Sequence, residues 1–292
     1  MTRTFDLSTR AMLVNLNLRN WSGRKFDKAV TDEVDRLHGS HDAGRYTKIL
    51  IAGPAIAAVK RAASAIRKEH YRLTLPWRDA GERILPAAAF NEYSAKMRKL
   101  EAEFAAAADE FCRDYAASLA TAAARLNGLY NPADYPAPGA IRGLFGCDVK
   151  ISPLPSGNDF RVKLADEATR AIREAIEADT KASVDAAMRE VWNRLYDGVK
   201  HMADRLGARP GKKGRRSPIF RDTIVENLRD LVAVLPKLNI TGDKELARLR
   251  KEVEEKLCGD HPERLRRDAK LRKSKAKEAA AIADKMAGFM GG

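Results

Sequence analysis

The sequence predicts a mainly α-helical fold with a small antiparallel β-sheet (α+β). The expected shape is elongated, with two long antiparallel helices flanking a β-hairpin and a basic helical C-terminal region. Two long segments, one ending at "RLNG" and one running from Asp166 to Leu206, step their apolar residues by threes and fours, which keeps them on one helical face. The stretch between them alternates apolar and polar residues around turn formers. Charged residues at 32% and aromatics at 7% suit a helix-rich, solvent-laced molecule better than a dense sandwich or barrel.

Taken in order, "AMLVNLNLRN" reads as a strand with Met12, Val14, Leu16 and Leu18 on one face. A helix is expected at about 23 to 38, facing inward through Phe26, Val30, Val34 and Leu37, and another at about 45 to 72, disturbed at Gly53 and Pro54. "LTLPWRDAG" breaks the helical pattern. The first long helix carries Phe90, Tyr93, Met97, Leu100, Phe104, Ala108, Phe111, Tyr115, Leu119, Ala122 and Leu126 on one face. Pro86 suits its first turn, and Asn127 with Gly128 suits its C-terminal cap. In "CDVKISPLPSGNDFRVKL", Val149 and Ile151, then Phe160, Val162 and Leu164, alternate about a Pro-Ser-Gly-Asn turn and predict a hairpin. A hairpin alone is marginal, so the strand at Met12 to Leu18 is expected to complete a three-stranded sheet.

The second long helix starts at Asp166 as N-cap, runs through Ile172, Ile176, Val184, Met188, Val191, Leu195, Val199, Met202 and Leu206, and ends at Gly207. Helices of about 40 residues extend roughly 60 Å. Each apolar stripe is therefore expected to pack on the other or on a second copy, making a homo-oligomer. Ser217 and Pro218 open a helix with Phe220, Ile224, Leu228, Leu231 and Leu235 inward, and Thr241 caps another, "TGDKELARLRKEVEEKL". The closing "PERLRRDAKLRKSKAKEAAAIADKMAGFMGG" has basic residues around the whole helical wheel and a thin alanine stripe, so alone it should fray. The expected organisation is a helical body with a three-stranded sheet at 1–206, a basic linker at 207–218, a short helical pair at 219–257 and a weakly structured basic tail at 258–292.

The net charge is +14, and it is concentrated: from Arg205 to Gly292 there are 23 basic and 13 acidic residues. Clustered cations of this kind attract polyanions. Cys112, Cys147 and Cys258 are far apart and form no CxxC pair, so neither a disulfide framework nor a zinc site is indicated, and a reducing compartment fits. No apolar run has signal-peptide or membrane-spanning length, which points to the cytoplasm and away from a membrane partner.

"GARPGKKGRRSPIFRD" invites comparison with a phosphate-binding loop, which needs GxxxxGK[ST] between a strand and a helix. Leu206 stands where the first glycine would be and Lys213 where the Ser or Thr would be, and the preceding element is a helix. What remains is either a solvated linker or a mobile phosphate contact through Arg209, Lys212, Lys213, Arg215 and Arg216. The tail repeats the basic signal at Arg264, Arg266, Arg267, Lys270, Arg272 and Lys273, with eight basic residues against two acidic ones in 262–277, and this favours nucleic acid. A further basic cluster, Arg19, Arg24, Lys25 and Lys28 about Trp21, reads either as a base-stacking platform or as a strand-to-helix corner anchored by Trp21. "SGRK" matches SxxK, but its serine suits an N-cap equally. In "HGSHD", His38, His41 and Asp42 form a weak metal pattern at a helix end, where capping explains them more economically. No catalytic residue, cofactor or metal is expected.

On "LNLRNWSGRKFDKAVTDEV", "LPWRDAGERILPAAAFNEYSAKM", "RLNGLYNPADYP" and "DFRV", residues 1 to about 206 resemble a family of uncharacterised bacteriophage- and prophage-encoded proteins, a domain of unknown function. The resemblance implies a genetic setting near phage replication and recombination functions or MoxR-type ATPases, in a bacterial host cell, and no catalytic residues. The expected function is non-enzymatic, non-specific DNA binding, single- or double-stranded, with RNA as a further partner class. The alternative is an oligomeric scaffold that docks to a phage protein such as a MoxR-type ATPase without binding nucleic acid.

Overall fold

Strand β1 (Ala11–Arg19) lies inside a four-stranded sheet of order β4-β5-β1-β6, completed by β4 (Leu75–Pro76), β5 (Glu82–Pro86) and β6 (Gly146–Pro153). The computed structural model describes residues 7–78, 81–156, 166–207 and 223–290. It confirms a mainly helical α+β fold with a small antiparallel sheet, and it divides the chain into two units. The first unit comprises Met1–Asn15, Leu73–Asn91 and Ile151–Gly292; the second comprises Leu16–Arg72 and Glu92–Lys150. The division therefore does not follow the expected boundary near 206.

In the first unit β1 pairs antiparallel with β5, from Ala11 opposite Pro86 to Asn15 opposite Glu82, and β4 pairs with β5. Leu13 and Val14, which point to opposite faces, are both buried, as befits an interior strand. The sheet has four strands rather than the expected three. β4 and β5 are too short to show a period, and they lie in and just after the stretch where the helical pattern breaks. β6 is the first arm of the expected hairpin; the second arm, Phe160, Val162 and Leu164, lies outside the described residues.

The long helix α5 (Asp166–Gly207) has the predicted bounds. Its buried side chains begin at Ser183 and continue through Val184, Ala187, Met188, Val191, Leu195, Val199, Met202 and Leu206. They are covered within the same unit by α6 (Thr223–Leu238), α7 (Lys244–Leu257) and α9 (Ala269–Met290), the last following the short α8 (Pro262–Arg267). Gly198 marks the close approach of α6: a Cβ there would stand 3.2 Å from Leu231 and 3.3 Å from Leu228. The N-cap of α7 is Asp243 rather than Thr241; its Oδ1 accepts from the amides of Glu245 and Leu246 at 2.9 and 3.1 Å, while Gly242 at φ +70° turns the chain.

In the second unit the expected helix at 23–38 is instead β2 (Arg24–Phe26) followed by α1 (Lys28–His38), and β2 pairs antiparallel with β3 (Thr47–Ile49). Asp27 ends β2 and caps α1, accepting from the amide of Val30. Pro54 opens α2 (Gly53–Leu73) in its first turn rather than disturbing it. The first long helix is α3 (Phe90–Arg113) and α4 (Tyr115–Leu126), separated at Asp114 (φ −91°, ψ 5°), with Asn127 at φ 46° as C-cap as expected. Its inward face forms an aromatic cluster in which Phe111 meets Tyr115 and Phe145 with centroids 5.7 Å apart in each case.

Alternation along β2 and β3 turns Lys25 and Lys48 to one side, where the loop after α4 presents Asp134. Lys48 is only 5% exposed, and its ammonium lies 2.6 Å from Asp134 Oδ2 and 2.8 Å from Asp27 Oδ2 and donates to the Leu129 carbonyl at 3.0 Å. Lys25 reaches the other Asp134 oxygen at 2.8 Å. The hydrogen bonds from Lys25 and Lys48 hold the Asp134 carboxyl below its ordinary pKa, Lys48 does the same for Asp27, and the two carboxylates raise Lys48. Removing one member of a buried ion cluster strands the others, so Lys48→Met is expected to cost about 3 kcal/mol in urea denaturation. Depressed carboxyl pKa values also mean stability that is present at neutral pH and is lost as pH falls below the usual carboxylate range. Acid titration should therefore destabilise the native protein more than Lys48→Met.

Candidate nucleic-acid interface

The expected weakly structured tail forms α8 and α9. His261 caps α8, Pro262 occupies its first turn and Leu265 is fully buried. Asp268 breaks the helix at φ −101°, ψ 101°, and its Oδ1 accepts from the amides of Lys270 and Leu271, each at 2.9 Å, so that it caps α9. These two amides hold the Asp268 carboxyl below its ordinary pKa, with smaller help from Arg264 and Lys270. The stripe Ala276, Ala279, Ile282, Ala283 and Met286 is buried as α9 packs along α5 and α7. The alanines are too small to hold a lone helix in place, but they let α9 come close to α5, and that packing supplies the stability the isolated segment lacks.

This docking fixes which cations face out. Lys270, Lys273 and Lys277, at steps of three and four, fall on the side of α9 opposite the buried stripe, and all three are exposed. Arg267, at the end of α8, is exposed as well. None of these four forms an ion pair or side-chain hydrogen bond among the described residues. The rest of the basic run is engaged. Arg264 lies 3.6 Å from Asp260, and Arg272 donates to the carbonyls of Leu265 and Arg266 at 3.4 and 3.2 Å. Lys275 bridges Asp260 and Glu278 at 3.5 and 3.0 Å, and Lys285 pairs with Glu252 at 2.7 Å. Arg266, also exposed, has its backbone carbonyl engaged by Arg272.

Of the residues singled out from sequence, Arg264, Arg266, Arg267, Lys270, Arg272 and Lys273 thus lie on one pair of consecutive helices. Arg209, Lys212, Lys213, Arg215 and Arg216 lie outside the described residues. The second basic cluster is in the second unit, and most of it is engaged. Trp21 packs against Phe111 and Tyr115 with centroids 6.2 and 6.1 Å apart, the arrangement of a corner anchor. Arg19 donates to the Gly143 carbonyl and pairs with Asp148, and Lys25 belongs to the Asp134 cluster. Arg24 is exposed on the outer side of β2.

Comparison with protein-family models, with curated proteins and with solved structures found no match. The chemistry of the site therefore rests on its own geometry. Among the described residues no three His, Cys, Asp or Glu side chains group to hold a metal, and no helix is long and apolar enough to cross a membrane. A cleft of about 430 Å³ in the second unit, between α2 and the α3–α4 break, carries Glu110 and Asp114 as its charged lining, a sign that repels phosphate.

Lys277 closes the basic run read from the sequence but is not singled out there, although its three-four spacing after Lys270 and Lys273 places it on the same helical face. The spacing had no meaning until the opposite face was known to be covered. If α9 is held by its stripe, Ile282→Ala should cost about 2–4 kcal/mol. Limited trypsin digestion of that variant should cut sooner within 264–277 than the native chain, at unchanged sensitivity of the second unit.

Proposed function

We propose that the protein is a non-enzymatic nucleic-acid-binding accessory factor of phage type, acting in DNA replication or recombination through non-specific contacts to phosphates. The observation that carries this reading is the set of exposed cations Arg267, Lys270, Lys273 and Lys277, unengaged among the described residues, on helices held against α5. Cations carried on a docked helix need no ordering of the backbone when they meet a polyanion, and each phosphate they neutralise releases counterions. Such binding is weakly dependent on sequence and steeply dependent on salt. DNA is the favoured partner, and RNA offers the same phosphates.

Truncation at 206 is a poor test, because it strips α6 to α9 from the buried face of α5. The better variant is K270Q/K273Q/K277Q, which alters only exposed side chains. On duplex DNA the plot of log affinity against log salt should become shallower by about 2 to 3, at roughly 0.9 for each phosphate no longer neutralised. An unchanged slope and affinity would contradict the assignment.

A specific observation supports a second reading, an oligomeric scaffold. α1 buries none of its side chains, and Phe26, Val34, Leu37, Tyr46 and Ile49, expected in part as core, are 38–73% exposed on and about α1, β2 and β3. Contiguous exposed apolar side chains mark interaction sites. Acidic Glu33 on α1 and basic Arg24 and Arg45 about β2 and β3 are exposed beside these side chains, and such charges of both signs fit a second copy of this chain. Mass in solution decides. A native dimer that V34D/L37D converts to monomer supports the scaffold, and a native monomer at high micromolar concentration opposes it.

A further inference from the structure

The junction of α8 and α9 is concave. His261, Glu263, Arg264, Arg267, Asp268 and Lys270 line a shallow cleft of about 660 Å³ that is wide open to solvent, with all of these residues exposed. We infer that this cleft is a seat for a terminal phosphate group, the phosphomonoester at the end of a nucleic-acid strand or of a free nucleotide. The inference rests on the proposed phosphate-binding function and adds to it a ligand class and a fixed point of contact.

The charge inventory of the lining selects the ligand. Three permanent or near-permanent cations, Arg264, Arg267 and Lys270, stand against two carboxylates. Asp268 keeps its charge, but its Oδ1 is turned to two backbone amides at the start of α9, so the lining as a whole carries a small excess of positive charge. The amides of Lys270 and Leu271 are thereby occupied, and the seat is made of side chains rather than of a helix terminus. At the rim, His261 Nδ1 accepts from the Glu263 amide at 3.4 Å, which leaves the Nε2 side of the ring for an acidic or polar group of the ligand. Arg264 faces Asp260 at 3.6 Å and Asp268 electrostatically, with its side chain 70% exposed, so a ligand phosphate would compete with these carboxylates for it, whereas Arg267 has no ion pair among the described residues.

A phosphodiester within a strand carries one negative charge and two free oxygens. A terminal phosphomonoester carries close to two charges and three free oxygens, one for each cation, and guanidinium groups bind such oxygens in pairs. The cleft is also larger than one phosphate requires, leaving space for the attached sugar. The exposed row Lys270, Lys273 and Lys277 leads away from the cleft along α9, so a strand whose end is seated has further cations to follow.

The test uses the full chain and one duplex of fixed sequence, labelled away from the ends under study, with either 5′-phosphate or 5′-hydroxyl termini. Fluorescence anisotropy should show about tenfold tighter binding of the phosphorylated duplex. In R264Q/R267Q the two forms should bind equally, both more weakly than the native protein binds the hydroxyl form, because Arg267 is also one of the cations of the general phosphate contact. Adenosine monophosphate, but not adenosine, should compete with the phosphorylated end; competition at micromolar concentration would identify a free nucleotide as the ligand of the same seat. Equal native affinity for the two duplexes overturns the seat while leaving non-specific phosphate binding intact. Failure of both duplexes to bind at low salt overturns the proposed function with it.

Discussion

The packing of α9 on α5 is the constraint on which the rest of the first unit depends. α5 presents a buried stripe from Val184 to Leu206 that would face water without the C-terminal helices. α9 in turn has only Ala276, Ala279, Ala283, Ile282 and Met286 to offer, too little apolar surface to hold a helix by itself. Each element is stable because the other is present. The consequence for function is geometric: by burying one face, the packing sends Lys270, Lys273 and Lys277 out on the opposite one and turns a diffuse basic segment into an oriented row.

The second unit solves a different problem. Its small β2–β3 ribbon cannot bury much apolar surface, and its outer face carries Phe26 and Ile49 exposed. The ribbon is held from its inner side by charge, with Lys48 and Lys25 on Asp134 and Asp27. Ion clusters of this kind fix geometry more than they add stability, because desolvation offsets much of their attraction. Asp27 has two roles, capping α1 and pairing with Lys48, and so ties the start of the helix to the ribbon. Arg125, at the end of α4, adds a hydrogen bond to the Ile49 carbonyl from outside the ribbon.

Long periodic elements were legible in the sequence, and short or paired ones were not. The bounds of α5 and the Asn127 cap follow from three-four spacing and from a residue able to take positive φ. The interruption at Asp114 leaves the spacing intact on both sides and so has no signature. β4 and β5 are too brief to show alternation. Phe26 and Leu37 fit an inward helical stripe, but whether a stripe is covered depends on what the rest of the chain brings to it, and nothing local encodes that. The same reason hid the order of the tail: its alanine stripe is weak by composition and sufficient only against α5. Within the site, the identity of the cations was legible, and which of them are committed to Asp260, Glu278 or backbone carbonyls was not.

The central claim, that the outward row on α9 is where phosphates are met, is tested most directly by lysine footprinting. Brief acetylation with and without excess duplex DNA, read by mass spectrometry, reports the accessibility of each ammonium group. The account predicts that Lys270, Lys273 and Lys277 become protected on binding, while Lys99 and Lys28 of the second unit react at unchanged rates. DNA binding that leaves all three lysines of α9 as reactive as in the free protein would contradict it.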